Sequence, residues 1–251
     1  MEHWELLKPG GLRFVWAEGL FPPGTDSFLL SAFPRLRPGL RVLDLGSGTG
    51  LLSLLLLQRQ RELTVTGLEL LPEAVTLAER AAEENGLTDR LLFRQGDLRS
   101  RDALPGGQFD LAVCNPPYYP VSGGALAAAD ARRTARAEVD CTLADVCRAA
   151  RRALRWGGRF CLVHKPERLT DLLCALREAG MEPKRMRLVS TRPETAPSLV
   201  LLEGSRGGKP GLDLEPPLVL YTPEGAPSED LNRIYFRRNE PDWNHIQEDK
   251  P

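Results

Sequence analysis

Short apolar runs alternate along most of the chain with longer segments in which apolar residues recur every three or four positions. A short apolar run predicts a buried strand, whereas the three- to four-residue spacing predicts a helix that packs on one face. Strands that alternate with helices form a mostly parallel sheet with helices on both faces, so the pattern predicts an α/β protein. The predicted strands are 41–45, 64–70, 91–95, 109–114, 159–164, 185–190 and 199–203, and the predicted helices are 51–61, 72–85, 143–154 and 167–179.

Each of the first four predicted strands ends in a polar or glycine-rich turn. In an open parallel sheet, ligands bind beyond the carboxyl ends of the strands, close to the point where the strand order reverses. We therefore expect a binding crevice at this edge of the sheet.

The segments on either side of this alternating region differ from it in composition. Residues 1–40 predict a lead-in that covers the edge of the sheet, residues 41–205 predict the core, and residues 206–251 predict a C-terminal extension of the same domain. Glycine, proline, lysine and arginine are concentrated in residues 204–217, which predicts a mobile loop. A length of 251 residues suits one α/β domain with such additions.

Composition and charge exclude several classes of protein. The 33 lysine and arginine residues are balanced by 34 aspartate and glutamate residues, so the chain lacks the strong positive charge of a general polyanion binder. The five cysteines form no C-x-x-C pair, which argues against a zinc site or a disulfide framework and indicates a reducing cytoplasm. The longest apolar run, 51–57, is too short to span a bilayer. We expect a cytoplasmic monomer without a metal ion and without a membrane partner.

The first predicted strand runs into the sequence Asp-Leu-Gly-Ser-Gly-Thr-Gly at 44–50, which opens the first predicted core helix. Glycines allow the backbone to approach a ligand closely, and the start of a helix offers N–H groups without partners inside the helix. The spacing is G-x-G-x-G rather than the G-x-G-x-x-G of a dinucleotide site. Taken alone, the turn is also compatible with a generic strand-to-helix loop.

Two further acidic residues follow the next two strands. Glu69 ends the second strand, where a carboxylate can accept hydrogen bonds from both hydroxyls of a ribose and would repel a 2′-phosphate. Asp97 follows the third strand, where it can accept a hydrogen bond from an adenine amino group while Leu98 packs on the ring. Singly, Glu69 could be a solvated acid and Asp97 a helix N-cap. Together with Asp44 they favour a nucleoside cofactor.

This set of residues resembles the first three cofactor motifs of class I S-adenosylmethionine-dependent methyltransferases. The resemblance covers residues 30–205 and implies a Rossmann-like sheet of seven strands whose last strand is antiparallel. It also implies S-adenosylmethionine as cofactor and S-adenosylhomocysteine as product. The implied cofactor-binding residues are Asp44, Gly46, Ser47, Gly48, Gly50, Glu69, Leu70, Asp97, Leu98 and Asn115.

The fourth predicted strand is followed directly by Asn115-Pro116-Pro117-Tyr118. Adjacent prolines fix φ and stiffen the loop, so the Asn115 amide and the Pro116 carbonyl can hold the two N–H bonds of a planar NH2 group. Holding both hydrogens aligns the nitrogen with a sulfonium methyl group, and Tyr118 can stack on the flat group. A rigid turn with incidental aromatic residues is the alternative. The motif resembles the N-P-P-Y signature of methyltransferases that act on adenine N6 or on glutamine amides, which implies that Asn115, Pro116 and Tyr118 are catalytic.

Gly24-Thr25-Asp26, with Leu29-Leu30 after it, resembles the G-T-D-x-x-L-L segment of bacterial tRNA1(Val) adenine-37 N6-methyltransferases. That resemblance implies that Thr25 and Asp26 border the cofactor, although the same residues also suit a helix cap. Residues 1–40 are too few for the helical N-terminal domain that release-factor glutamine methyltransferases usually carry. Residues 135–138 depart from the family, which often has a histidine there, and this leaves the particular RNA open.

The leading hypothesis is therefore N6-methylation of adenine in RNA, with tRNA as the expected partner. The alternatives are methylation of a protein glutamine at N5 and a cofactor-binding scaffold without catalysis. Arginines lie after the N-P-P-Y loop, along 148–155, and around Tyr235-Phe236 as Arg233, Arg237 and Arg238. The mixture of basic and aromatic residues is typical of RNA contact. The expected substrate-binding residues are Pro117, Tyr118, Tyr119, Arg132 and Arg133.

Overall fold

The computed structural model of the protein describes residues 1–20, 22–116 and 141–237. The predicted strands and helices of the core are present, and two of the strands begin several residues earlier than predicted. The strands are β1 (Glu2–Leu6), β2 (Arg13–Ala17), β3 (Arg41–Leu45), β4 (Thr64–Glu69), β5 (Leu91–Gln95), β6 (Phe109–Cys114), β7 (Leu154–His164), β8 (Met181–Ser190), β9 (Leu199–Arg206), β10 (Asp213–Leu214) and β11 (Leu218–Val219). The helices are α1 (Thr25–Ser31), α2 (Leu51–Arg59), α3 (Pro72–Glu84), α4 (Leu143–Ala153), α5 (Leu169–Glu178), which follows a 3-10 turn, and α6 (Glu229–Ile234).

The seven long strands of the central sheet lie in the order β5-β4-β3-β6-β7-β9-β8. β9 is antiparallel to both of its neighbours, and the other neighbouring long strands are parallel. β10 and β11 are two residues each and pair with the outer edge of β8. The α/β fold with a mostly parallel sheet is thus confirmed, and the two short strands extend it.

β7 begins earlier than the sequence indicates. The predicted strand starts at residue 159, but β7 starts at Leu154, immediately after α4. Its pairing with β6 shifts between Phe109–Leu154 and Leu111–Arg159, so the residues between the two pairs bulge out of the ladder. Gly157 has a φ of +75° within this bulge. Trp156, Gly157 and Gly158 are therefore part of a bulged strand.

The lead-in packs on helices rather than pairing with an edge of the sheet. β1 and β2 form a separate antiparallel hairpin, and β2 contacts α2 and α3. The side chain of Asn85, at the end of α3, accepts a hydrogen bond from the Arg13 N–H and donates one to the Arg13 carbonyl. Apolar residues of the lead-in lie in the same hydrophobic cluster as those of α2. This packing holds the lead-in in place without pairing to the central sheet.

Residues 204–217, predicted as a mobile loop, are instead held by the edge of the sheet. β10 pairs with Arg185 and Met186, and the Lys184 ammonium donates to the carbonyls of Lys209 and Gly211. An edge strand offers unpaired N–H and C=O groups, and this segment satisfies them despite its glycine- and proline-rich composition. The chain then continues through β11 to α6.

The core consists of two apolar clusters, one on each face of the sheet. One joins the sheet to α1, α2, α3 and the lead-in, and the other joins it to α4 and α5. Helices therefore cover both faces, as predicted. Among the helices in the described ranges, none combines the length and apolarity needed to cross a bilayer.

Candidate active site

The glycine turn and Asn115 leave neighbouring strands at the same edge of the sheet. β3 ends directly before the turn and pairs in parallel with β6, with Asp44 opposite Val113. The strand order reverses here, because β3 continues to β4 on one side while β6 lies on the other. Such a switch point opens a crevice for ligands. The predicted cofactor turn and the predicted catalytic loop are thus adjacent.

Gly46 and Gly48 form the open part of the turn. Their φ angles are +70° and +54°, a region that L side chains rarely adopt. A Cβ atom built on either residue would meet no other atom within 4 Å. The space above both glycines is therefore accessible to a ligand, as a close approach by a cofactor requires.

Gly50 and Ser47 serve the packing beneath the turn. A Cβ on Gly50 would lie 2.7 Å from the Phe93 ring, so the ring itself requires glycine there. The buried Ser47 hydroxyl lies over Gly67, where an added Cβ would come within 2.7 Å of it. Both residues were predicted to bind the cofactor. The structure gives both positions a packing role, and their backbone N–H groups donate to the carbonyls of Leu68 and Ser47.

Glu69 braces the turn from the end of β4. Its Oε2 accepts the Gly48 N–H at 2.9 Å, and its Oε1 accepts the N–H groups of Leu70 and Leu71 at 2.9 Å each. A carboxylate offers about four lone-pair positions, so these three bonds leave capacity for a ribose hydroxyl. Glu69 therefore connects the glycine turn to the strand whose end carries the expected ribose site.

Asp44 lies below the turn and is 1% exposed. Its Oδ2 accepts the Ser53 hydroxyl at 2.7 Å. Burial, opposed by the bond from Ser53 and aided by the nearby Glu69 charge, raises the pKa of this carboxyl from 3.8 to about 7. Asp44, which was predicted to bind the cofactor, is thus enclosed by the protein beneath the glycine turn.

The titration of Asp44 predicts a pH-dependent stability. Because the folded protein favours the neutral carboxyl, its contribution to stability is fully present below pH 3.8 and is lost as the pH rises through about 7. Between pH 4 and pH 8, the unfolding free energy should fall by on the order of 3 kcal/mol relative to Asp44→Asn. Urea unfolding of both proteins across this range measures the difference. Parallel curves would contradict the prediction.

Asp97 and Leu98 follow β5, and Leu70 follows the neighbouring strand β4. The Arg99 guanidinium beside Asp97 holds the pKa of that carboxyl below its ordinary value and contacts it at 2.6 Å. Leu70 is 53% exposed although it is apolar, and Leu98 is half-buried. Because Leu70 is exposed beside Glu69, it offers an apolar surface on which a flat ring can pack. Arg99 thus occupies both oxygens of Asp97, the carboxylate that was predicted to accept a bond from an adenine amino group.

Asn115 is held by a residue that the sequence did not single out. Its Nδ2 donates to the Ser27 hydroxyl at 3.1 Å, which connects the end of β6 to α1. Asn115 is half-buried, and Pro116 after it is buried. The other predicted residues of this loop and of the segment after it, Pro117, Tyr118, Tyr119, Arg132 and Arg133, lie outside the described residues.

α1 carries Thr25 and Asp26 to the same region. Gly24 is its N-cap and offers no side-chain cap, so the Thr25-Asp26-Ser27 sequence begins the helix without capping it. The Thr25 hydroxyl accepts a hydrogen bond from the Tyr235 hydroxyl at 3.1 Å. Ser27, on the same turn, contacts Asn115. The segment therefore borders the expected catalytic loop.

Several arginines and aromatic residues that suggest RNA contact are engaged with the protein. The Tyr235 ring stacks on Phe28, with centroids 4.4 Å apart, and Phe236 lies against the Arg59 guanidinium and the Lys8 ammonium. Arg148, Arg155 and Arg233 each pair with an aspartate. Arg152 donates to two backbone carbonyls, and Arg237 lies over the Tyr235 ring. These side chains have structural roles, which composition alone does not indicate.

The site residues fit a nucleoside cofactor with a cationic, amino-acid-like end. Gly46 and Gly48 leave an open cradle, Glu69 provides a carboxylate at its rim, and Leu70 provides an apolar surface. Within the described part of the chain, no group of three His, Cys, Asp or Glu side chains could hold a metal ion.

Replacing Gly48 with Ala tests the cradle. We expect S-adenosylmethionine affinity to fall at least about tenfold, because the new methyl group occupies the open space and the residue must hold a positive φ. Gly86→Ala is a matched control, since Gly86 has a φ of +63° and equally open surroundings outside the crevice. Titration calorimetry should show weakened binding in the first variant alone. Equal affinities would contradict the assignment.

Comparisons with known proteins agree with this geometry. Residues 11–175 match the methyltransferase small domain family. A Porphyromonas gingivalis protein named tRNA1(Val) (adenine(37)-N6)-methyltransferase is 34% identical over 84% of this chain and 86% of its own. A Tolumonas auensis protein of the same name is 34% identical over 80% of this chain and 85% of its own.

Among solved structures, a predicted O-methyltransferase from Agrobacterium tumefaciens matches with a TM-score of 0.71 and 21% identity. The match covers 86% of this chain and 100% of that one. At this identity the likeness concerns the fold, and it confirms the class I methyltransferase architecture.

Proposed function

We propose that this chain, which belongs to the methyltransferase small domain family and to the family of its tRNA1(Val) (adenine(37)-N6)-methyltransferase relatives, methylates the N6 amino group of an adenine in tRNA. It is an S-adenosylmethionine-dependent methyltransferase. The observation that carries the proposal is the placement of Asn115 beside the open glycine turn, on the neighbouring strand.

The cofactor supplies an electrophilic methyl group on a sulfonium sulfur. In the proposed reaction the adenine nitrogen forms a bond to this carbon, the carbon–sulfur bond breaks with its electrons going to sulfur, and the nitrogen then releases a proton to water. The amine is a weak nucleophile because its lone pair is delocalised into the ring. Asn115 therefore accepts one of its N–H bonds and the Pro116 carbonyl accepts the other, which aligns the lone pair and stabilises the positive charge that develops on nitrogen.

The remaining residues are assigned to the parts of the cofactor according to the strand end that carries them. We assign the ribose hydroxyls to Glu69, the adenine of the cofactor to Asp97 and Leu98 with Leu70, and the methionine end to Asp26 and Thr25. Gly46 and Gly48 allow the close approach. Asp44 and Ser47 act beneath the turn, where Asp44 bears on the cationic end of the cofactor through its negative charge when ionised.

The substrate side of the site is proposed on the sequence of the loop. Tyr118 stacks on the target base, Pro117 and Tyr119 shape its pocket, and Arg132 and Arg133 contact the phosphates. A base in a tRNA loop must be splayed out to reach Asn115. The five cysteines all lie in the described part and are free thiols, which suits the cytoplasm where tRNA is found.

Methyl transfer from labelled S-adenosylmethionine to total tRNA tests the function. After digestion to nucleosides, the label should migrate as N6-methyladenosine, and tRNA from a strain lacking the gene should be the better acceptor. Absence of labelled N6-methyladenosine, with cofactor binding intact, would rule the proposal out. Label that survives nuclease treatment in a protein fraction would instead identify glutamine methylation. Cofactor binding without transfer to any acceptor would identify a scaffold.

A further inference from the structure

We propose that Ser27 is a positioning residue for methyl transfer, because its hydroxyl holds the Asn115 amide in the orientation that directs Oδ1 at the substrate. The inference rests on the proposed function and extends it to a residue on α1. The connection spans 88 positions of the chain, from the first helix to the end of the fourth core strand.

The orientation of the amide decides whether Asn115 can work. A primary amide has an oxygen that accepts and an NH2 group that donates, and the two ends have nearly the same shape. An amino group of the substrate needs an acceptor, so the reversed amide would set two NH2 groups against each other. Nδ2 donates to the Ser27 hydroxyl at 3.1 Å, so the nitrogen end of the amide is the end that is bound to α1.

Ser27 is itself held in place. It is 8% exposed, and the next residues of α1, Leu29 and Leu30, are 1% and 0% exposed in the core. On the outer side of α1, Tyr235 stacks on Phe28 with rings 5° from parallel. The Tyr235 hydroxyl also donates to Thr25 in the first turn. These contacts hold α1, the helix that carries Ser27, as a positioning group requires.

This arrangement also gives the C-terminal extension a place in the site. Residues after β11 return across the molecule through α6, and Tyr235 then contacts the helix that carries Ser27. The chain of contacts runs from Tyr235 through α1 and Ser27 to Asn115. Each step is a packed or hydrogen-bonded contact between described residues.

Replacing Ser27 with Ala should lower kcat about three- to tenfold, the factor expected for one hydrogen bond, and should leave the KM for S-adenosylmethionine unchanged. Ser31→Ala is the matched control on the same helix. Ser31 bonds to the Phe28 carbonyl and to Arg59 rather than to Asn115, so its loss should reduce stability and leave kcat unchanged.

A double-mutant cycle with Asn115→Ala separates positioning from general damage. If Ser27 acts through Asn115, Ser27→Ala should not lower kcat further in the Asn115→Ala protein. An equal loss in both backgrounds, or an unchanged kcat in the single variant, would overturn the proposal.

The same cycle in urea unfolding tests the contact without any substrate. The folding equilibrium constants should couple about three- to tenfold for Ser27 and Asn115, and strict additivity would count against the bond. Together with the methylation assay, this measurement separates a failure of the proposed function from a failure of the role assigned to Ser27. Wild-type protein that forms no N6-methyladenosine defeats the proposed function, whereas additive variants of an active wild type defeat the role of Ser27.

Discussion

Replacing Asn115 with Ala is expected to lower kcat for N6-methyladenosine formation on the order of 10²-fold or more, the usual cost of losing a hydrogen-bonding group that acts in the transition state. The amide oxygen is expected to strengthen its contact as positive charge builds on the amine. S-adenosylmethionine affinity should change far less, since the glycine turn and Glu69 remain intact. Single-turnover methylation of tRNA measures the first quantity, and titration calorimetry measures the second.

Asn85→Ala is the control for this experiment. Asn85 also makes side-chain hydrogen bonds to backbone groups, but it joins α3 to β2 on the lead-in side of the molecule. Its loss should lower stability and leave kcat intact. A kcat for Asn115→Ala within a factor of three of wild type would refute the catalytic role and would support a scaffold instead.

The cofactor half of the site could be predicted from the sequence because its signals are local. The glycine turn occupies consecutive residues, and Glu69 and Asp97 each follow directly on a short apolar run. A parallel sheet brings such strand ends together whatever the details of packing. The family resemblance implied seven strands with the last one antiparallel, and the structure confirms this, since β9 is antiparallel to both β7 and β8.

Contacts between distant segments could not be read in this way. Nothing at Ser27 indicates that its hydroxyl will meet Asn115, because only the packing of α1 brings the two together. Tyr235 and Phe236 have a composition typical of RNA contact, yet their rings pack on Phe28 and Arg59. Composition describes what a side chain can bind, whereas the fold decides which partner it reaches first.

The same limit applies to the ends of elements and to the edge of the sheet. The bulge in β7 depends on its register against β6, and the pairing of β10 depends on an unpaired edge of β8. Both are interactions between strands that no single segment encodes. Gly50 illustrates the converse: its sequence context indicates a ligand contact, but the Phe93 ring below it is sufficient reason for a glycine.

Replacing Glu203 with Gln is expected to destabilise the protein by on the order of 3–5 kcal/mol, because it leaves a buried arginine without its buried counter-charge. The Arg185 and Glu203 side chains are 7% and 2% exposed and lie 2.8 Å apart. Arg185 also pairs with Glu215, donates to the Phe33 carbonyl and lies 4.0 Å from the Phe33 ring centroid. It therefore joins β8 and β9 to the lead-in and to the C-terminal extension.

Glu215 is a weaker partner for the buried Arg185 charge that would remain, since its own side chain is 23% exposed and water screens the attraction. The double variant Arg185→Met with Glu203→Leu should recover much of the lost stability, because removing both charges removes the desolvation cost along with the attraction. Glu2→Gln is the control: it breaks a solvent-exposed pair with Arg80 and should change stability little. Urea unfolding of the four proteins compares these effects. A loss for Glu203→Gln no greater than that for Glu2→Gln would mean that the buried network does not hold the lead-in, the sheet and the extension together.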